Sequence, residues 1–383
     1  LRAPEIFFKI LEKGNRYKIF NFNGEKIIIE DITDSIEGKG DTMFSKIATL
    51  TENNPGLNSL EKIKKAGYRI VKEKDGERYF LAREDELKPL LVRLGDIAEV
   101  RRGFTTGANE FFYLKPVDMT VKEVVEASLN TSSTLIRVQN NSGWIGEIEA
   151  EFLKPVIKSP KELKTITVRL EDLNYLVFMC HKSKEELKGT KAIEYIEWGK
   201  KRGYHERPTC KSRQRWWDLG EINYEIAYPS THNPSWAVFL NKNCYYMDKV
   251  FYGIKSIRYE SIWAFMNSTL ALFQAEFFGY SLVGGGGSFM TVEDLEKVLI
   301  ISNDALVSYA YKISSRKYLS IFAELGFDPE KNISNQEPKP LPDRKILDDA
   351  SYSILGLTEE EQLEVYRAVV ELVKNRLVKA KSM

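Results

Sequence analysis

A chain of 383 residues is long enough for two or three domains, each with its own core. Hydrophobic residues at 43 % and aromatics at 12 % exclude general disorder. With 56 Lys+Arg against 55 Asp+Glu the net charge is +1, which excludes a globally basic chain; any polyanion-binding surface must come from local segregation of sign.

The chain opens at Leu1 inside a helical pattern, Ala3 to Glu12, as expected of the C-terminal part of something longer. Ile27, Ile28 and Ile29 predict a strand, Leu57 to Ala66 a helix, and Tyr68 to Leu81 a hairpin turning at Asp75-Gly76. We therefore take 1–92 as an N-terminal mixed α/β segment, an insertion candidate. Residues 93–301 read as one α+β unit. A short amphipathic turn from Val92 runs into a strand at Val100. Strand patterns follow at Glu110–Leu114, Leu135–Val138, Tyr175–Met179, Ile226–Tyr228, Ala237–Leu240 and Cys244–Met247. Lys184 to Lys201 has helical spacing, and Ser261 to Phe277 predicts one buried aromatic helix ahead of the Gly284–Gly287 run. Thr291 to Val298 predicts a short helix and Leu299 to Ile301 a strand. Residues 302–383 form a C-terminal helical region with a linker carrying Pro338, Pro340 and Pro342. Its last helix starts at an N-cap Thr358 with Glu361 as capping-box partner, and Leu363, Tyr366, Val370, Val373 and Leu377 form its apolar stripe.

Cys180, Cys210 and Cys244, with His181, His205 and His232, have neither zinc-site nor disulfide spacing, so no metal and a reducing, cytoplasmic setting are expected. No apolar run reaches the roughly 18 residues of a membrane span, so no membrane partner is expected. Amino-methyl transfer to a base needs a Gly-rich loop for S-adenosylmethionine and an Asn/Asp-Pro-Pro-aromatic turn for the flipped base. The chain contains no Pro-Pro pair, and Gly284–Gly287 follows a helix instead of a first strand. Neither catalytic nor cofactor-binding residues are therefore assigned. Glu-x-Lys strings of the nuclease kind occur at Glu37, Glu86, Glu162 and Glu186, as chance provides in a chain rich in both residues.

Two clusters carry the interesting chemistry. Arg101-Arg102-Gly103-Phe104-Thr105-Thr106-Gly107-Ala108-Asn109 is a Gly-bounded turn with two guanidinium groups, two hydroxyls and an amide. Arg forks match phosphate or guanine, Asn matches adenine, and Thr reaches a phosphate or a thymine methyl. A polar hairpin loop with solvated arginines accounts for the same composition. The second cluster, Arg207 to Trp217, includes Lys211, Arg213 and Arg215 followed by Trp216-Trp217; cations beside aromatics suit backbone tracking with stacking. Alternation on a strand would put one tryptophan, Trp216, toward the DNA and the other in the core. Lys249 after Tyr245-Tyr246 is a further candidate, although a hairpin core explains that run as well.

The stretch Val92 to Leu114 resembles the start of the target-recognition region of TaqI-like N6-adenine DNA methyltransferases, including type IIG restriction–modification enzymes. Arg213-Gln214-Arg215-Trp216-Trp217-Asp218-Leu219-Gly220, Phe265-Met266-Asn267-Ser268-Thr269-Leu270 and the tail from Leu341 to Glu361 are similar to later parts of the same enzymes, and Leu1–Ile6 to their junction with the catalytic domain. The resemblance implies a mixed-sheet α+β recognition domain with flanking helical segments and a C-terminal helix. It implies double-stranded DNA as ligand, a methyltransferase catalytic domain in the same or a partner chain, and S-adenosylmethionine held there. A separate type I specificity subunit, or a nuclease or docking subunit, are the alternatives. The expected DNA contacts are Arg101, Arg102, Thr105, Thr106, Asn109, Lys211, Arg213, Arg215, Trp216 and Lys249.

Overall fold

Strands of alternating burial and helices apolar on most sides fix how this chain packs. The computed structural model describes residues 91–381 except 132, 282–285 and 302–303, together with Ile6, Ile10 and the strands Tyr17–Phe22, Glu25–Glu30, Tyr68–Lys72 and Tyr79–Arg83. The last two pair as the expected hairpin, Lys72 opposite Tyr79. The expected helix Leu57–Ala66, the Asp75-Gly76 turn, most of Ala3–Glu12 and the Glu-x-Lys strings at Glu37 and Glu86 lie outside the described residues.

A six-stranded sheet has the order Tyr246–Met247, Leu153–Ile157, Tyr175–Phe178, Tyr113–Pro116, Leu135–Asn140, Ile145–Glu149, antiparallel except for its first pair. Leu135–Asn140 shows the period of two: Ile136, Val138 and Asn140 point inward, and Leu135 and Arg137 outward. A helix, Lys191–Lys201, lies against this sheet. The buried Glu149 accepts from the N–H groups of Lys191 (2.5 Å) and Ala192 (3.0 Å), satisfying donors at the helix start. Residues 184–189, expected in that helix, form a turn ahead of its N-cap Thr190.

A second, four-stranded antiparallel sheet runs Phe239–Leu240, Ile226–Pro229, Phe251–Lys255, Glu99–Arg102, which leaves Glu99–Arg102 at an edge. The expected single helix over 261–277 is two helices, Tyr259–Met266 and Thr269–Phe278. The break is Asn267-Ser268. Asn267 turns its amide onto both backbone groups of Val238 (3.0 and 3.1 Å), and Ser268 caps the second helix by accepting from Ala271 N–H. Such polar side chains compete with the helix backbone for its own hydrogen bonds, which apolar periodicity does not register.

The C-terminal helices Pro342–Leu355 and Glu359–Lys381 pack on this pair. Asp348, fully buried, accepts from Thr269 N–H (2.7 Å), Thr269 Oγ1 (2.6 Å) and Tyr366 (3.2 Å). Beside it Glu324 takes bonds from Arg316 and Arg344, each at 2.5 Å, with all three side chains buried. Arg376 ties the last helix to Glu276 at 2.7 Å and donates to the Gly286 carbonyl. Thr358 and Glu361 make the expected capping box. The fold is the α+β arrangement expected from the pattern.

Candidate nucleic-acid interface

The edge strand Glu99–Arg102 carries the chain from one sheet to the other. Gly103 N–H still bonds Phe251 of the four-stranded sheet (2.9 Å), while Phe104 N–H bonds Met247 of the six-stranded one (2.9 Å) and Phe104 O accepts from Lys249 (3.0 Å). A Cβ on Gly103 would lie 2.3 Å from the Asp248 carbonyl oxygen, so only glycine permits this crossing. The crossing sets Arg102 beside Lys249: Arg102 Nε donates to Lys249 O at 3.2 Å, and both side chains are exposed. Arg101, also exposed, lies on the same strand face as Glu99, which accepts from the Tyr224 hydroxyl at 2.8 Å. That hydroxyl is pushed up to about 12 by burial first and by Glu99 next.

The following turn is stapled from the second cluster. Arg213 Nη2 donates to Thr105 O (2.7 Å) and Thr106 O (2.9 Å), and its Nη1 reaches Trp216 O (3.2 Å). Arg207 bonds Gly107 O (3.3 Å) and pairs with Glu110 (3.0 Å), which holds the Glu110 carboxyl below its ordinary range. Gly107 has φ +76°, and a Cβ there would meet Thr209 at 2.7 Å. The two clusters read separately in the sequence are thus one unit.

This unit sorts the ten candidates. Arg101, Arg102, Thr105, Asn109, Lys211 and Lys249 are each exposed, on or beside the crossing, the turn and its staple. Thr106 is buried at 2 %: its hydroxyl accepts from Ala108 N–H (3.3 Å) and donates to Asn109 Oδ1, fixing the short helix Asn109–Phe112. Arg213 is committed to carbonyls, and Arg215 to Asp218 (2.7 Å), which also bonds His181 Nδ1 at 2.7 Å. Trp216 departs from its expected outward placement. Residues 212–217 form no strand, so adjacent residues need not face opposite ways; Trp216 and Trp217 are both buried, Trp216 against Phe111 (4.7 Å) and Gly199. Sequence reading missed the staple itself, whose signal was the pairing of Arg207 and Arg213 with a loop a hundred residues away.

In the described part of the glycine run, a Cβ on Gly287 would meet Thr231 at 2.9 Å and one on Gly286 would meet Leu377 at 3.2 Å, so these two glycines are packed against protein. Among the described residues no three His, Cys, Asp or Glu side chains group closely enough to hold a metal ion, and no helix is long and apolar enough to cross a membrane.

Comparison with curated protein sequences gave no match. Among solved structures the chain is similar to that reported as "Characterization and crystal structure of the type IIG restriction endonuclease BpuSI", with TM-score 0.46 and 13 % identity over 76 % of this chain. The match spans 32 % of that enzyme, about a third of its length. The family model "Type II methyltransferase M.Eco57I, C-terminal domain" matches residues 77–315, well over half of the chain and the whole of the unit just described. This chain belongs to the family of that C-terminal domain, the target-recognition region of restriction–modification methyltransferases.

Proposed function

We propose that the chain is the sequence-specific DNA-recognition part of an adenine-N6 methyltransferase, serving a catalytic domain, in the same or a partner chain, that holds S-adenosylmethionine. One observation carries this reading: a stapled turn exposes Thr105 and Asn109 beside Arg101, Arg102, Lys211 and Lys249, none of which has a carboxylate within 4 Å among the described residues. The four cations suit phosphates, which position a duplex, whereas a threonine hydroxyl and an asparagine amide suit base edges, which specify it. Thr106 holds the Asn109 amide oxygen, and among the described residues the amide nitrogen of the exposed Asn109 has no partner, so a donor remains available to a ligand. The buried tryptophans give the turn a rigid floor.

The test is duplex binding followed by fluorescence anisotropy across a salt series. Each neutralised phosphate contributes about 0.9 to the slope of log K against log salt, so the double change Arg101→Gln with Arg102→Gln lowers the slope by about 2. Binding that is absent, or indifferent to both salt and this double change, refutes the proposal.

A further inference from the structure

Beyond the ten candidates, the end of the six-stranded sheet holds a second pair of cations that no sequence cluster announces. We propose that Lys158 and Lys115, mounted on Tyr175, form a second phosphate-binding station that extends the Arg102–Lys249 surface along the backbone of the same duplex; this rests on the DNA-recognition reading above.

Lys158 Nζ lies 3.8 Å and Lys115 Nζ 4.8 Å from the centroid of the Tyr175 ring, and Lys158 also stands 5.3 Å from that of Tyr113. A ring attracts each cation, but two ammonium groups on one ring repel each other, and an anion between them relieves that repulsion. The described residues do not supply it. The carboxylates of this region are committed elsewhere: Glu171 to Lys122 (3.0 Å), Asp172 to Lys164 (3.5 Å), Asp118 to Arg137 (3.6 Å) and Asp248 to the Tyr113 hydroxyl (2.5 Å). Glu162 accepts from the backbone N–H groups of Lys158 (3.1 Å), Ser159 (2.8 Å) and Asn174 (3.2 Å). It therefore fixes the backbones that bear Lys158 and Tyr175 without neutralising either ammonium. Among the described residues neither lysine has a carboxylate within 4 Å.

The station is continuous with the first surface. Asp248 N–H donates to Ile157 O at 3.0 Å, so Lys158 and Lys249 each follow one partner of a backbone hydrogen bond. Lys115 also lines a cleft of about 430 Å³ with Thr120 and Lys122. Lysines are point charges without a fork to read a base, so the station binds backbone and not sequence.

The test compares the wild-type chain, Lys115→Gln with Lys158→Gln, and Arg101→Gln with Arg102→Gln, each in salt titrations on a mixed-sequence duplex, with thermal melting as a folding control. The expected result is a lysine variant that melts like wild type, binds the duplex at least tenfold more weakly, and loses about 2 from the salt slope. A lysine variant with wild-type affinity and slope, while the arginine variant is weakened, overturns the station and leaves the recognition reading standing. A wild-type chain that does not bind the duplex overturns both.

Discussion

Arg213→Ala separates a staple from a DNA contact, and the geometry gives its size. The guanidinium makes three carbonyl bonds, to Thr105, Thr106 and Trp216. Thr105 is exposed, so water replaces that bond at little cost. Thr106 is buried and, among the described residues, keeps only the Cys210 thiol at 3.5 Å, so its carbonyl loses a charge-assisted partner. Such a bond is worth about 1.5–3 kcal/mol, and the turn should loosen by about 2 kcal/mol. If the turn must be reordered on binding, affinity falls by roughly thirtyfold, at about 1.4 kcal/mol per factor of ten. The salt slope stays where it was, because no phosphate partner has been removed. Arg213→Lys restores charge but not the fork whose one nitrogen reaches Thr105 and Thr106 and whose other reaches Trp216, so it rescues little. Anisotropy titrations read affinity and slope together. A slope that drops by about 0.9 in Arg213→Ala would refute the reasoning, since it would put the guanidinium on a phosphate.

Gly103→Ala places a Cβ against backbone oxygens that cannot turn aside, costs about 1–3 kcal/mol, and separates Arg102 from Lys249; an unchanged melting temperature contradicts this. Glu324→Gln leaves the buried Arg344 without its ion-pair partner, while Arg316 keeps Asp343 at 3.0 Å, and lowers stability by about 3 kcal/mol in denaturant titration; a loss under 1 kcal/mol would mean the Glu324–Arg344 pair is dispensable. His232 is held by burial, with Arg376 adding to it, at about 3, below its usual value of 6.5. A depressed histidine is neutral in the folded chain while the unfolded chain takes up the proton, so stability falls as pH drops from 6.5 toward 3. That is about 2 kcal/mol by pH 5. His232→Asn should flatten this part of the pH profile, and an identical profile in the variant assigns the slope to other groups.

What the sequence made legible follows its local periodicities. The 68–81 hairpin, the strand at 135–140, the helix after Thr358 and the α+β class all rest on alternation, caps or turn residues within a few positions. The site was legible in its residue types and less so in their roles. Arg213 and Arg101 look alike in sequence, both basic and near aromatics, yet one faces three carbonyls and the other solvent. Trp216 looked half-exposed because a strand was assumed; a turn buries both indoles. The Asn267-Ser268 pair signals capping or an internal hydrogen bond, but apolar spacing is the same on both sides of it, so periodicity alone runs the two helices together. Long-range partners decide each of these cases, and none leaves a periodic trace.

The near-zero net charge now has a physical reading. The acids around the interface are withdrawn into internal bonds: Glu110 with Arg207, Asp218 with Arg215 and His181, Asp248 with Tyr113, and Glu99 with Tyr224. Two of those bonds consume tyrosine hydroxyls instead of cations: Asp248 is buried in its bond, which takes a carboxylate off the surface without consuming a positive charge, while Glu99 stays exposed. Where an arginine is consumed, as at Arg207, it fixes the turn that presents the remaining ones. A balanced composition can therefore expose a cationic strip, with its sign set by which partner each carboxylate finds in the fold. Replacing Tyr113 by Phe tests the idea, because it frees Asp248 beside Lys249 and Lys158 and adds no charge. Duplex affinity should fall several-fold at low salt and recover toward wild type as salt screens the freed carboxylate, whose reach shrinks to about 3 Å at 1 M. A loss that persists unchanged at high salt would instead mean that the hydroxyl's role is packing.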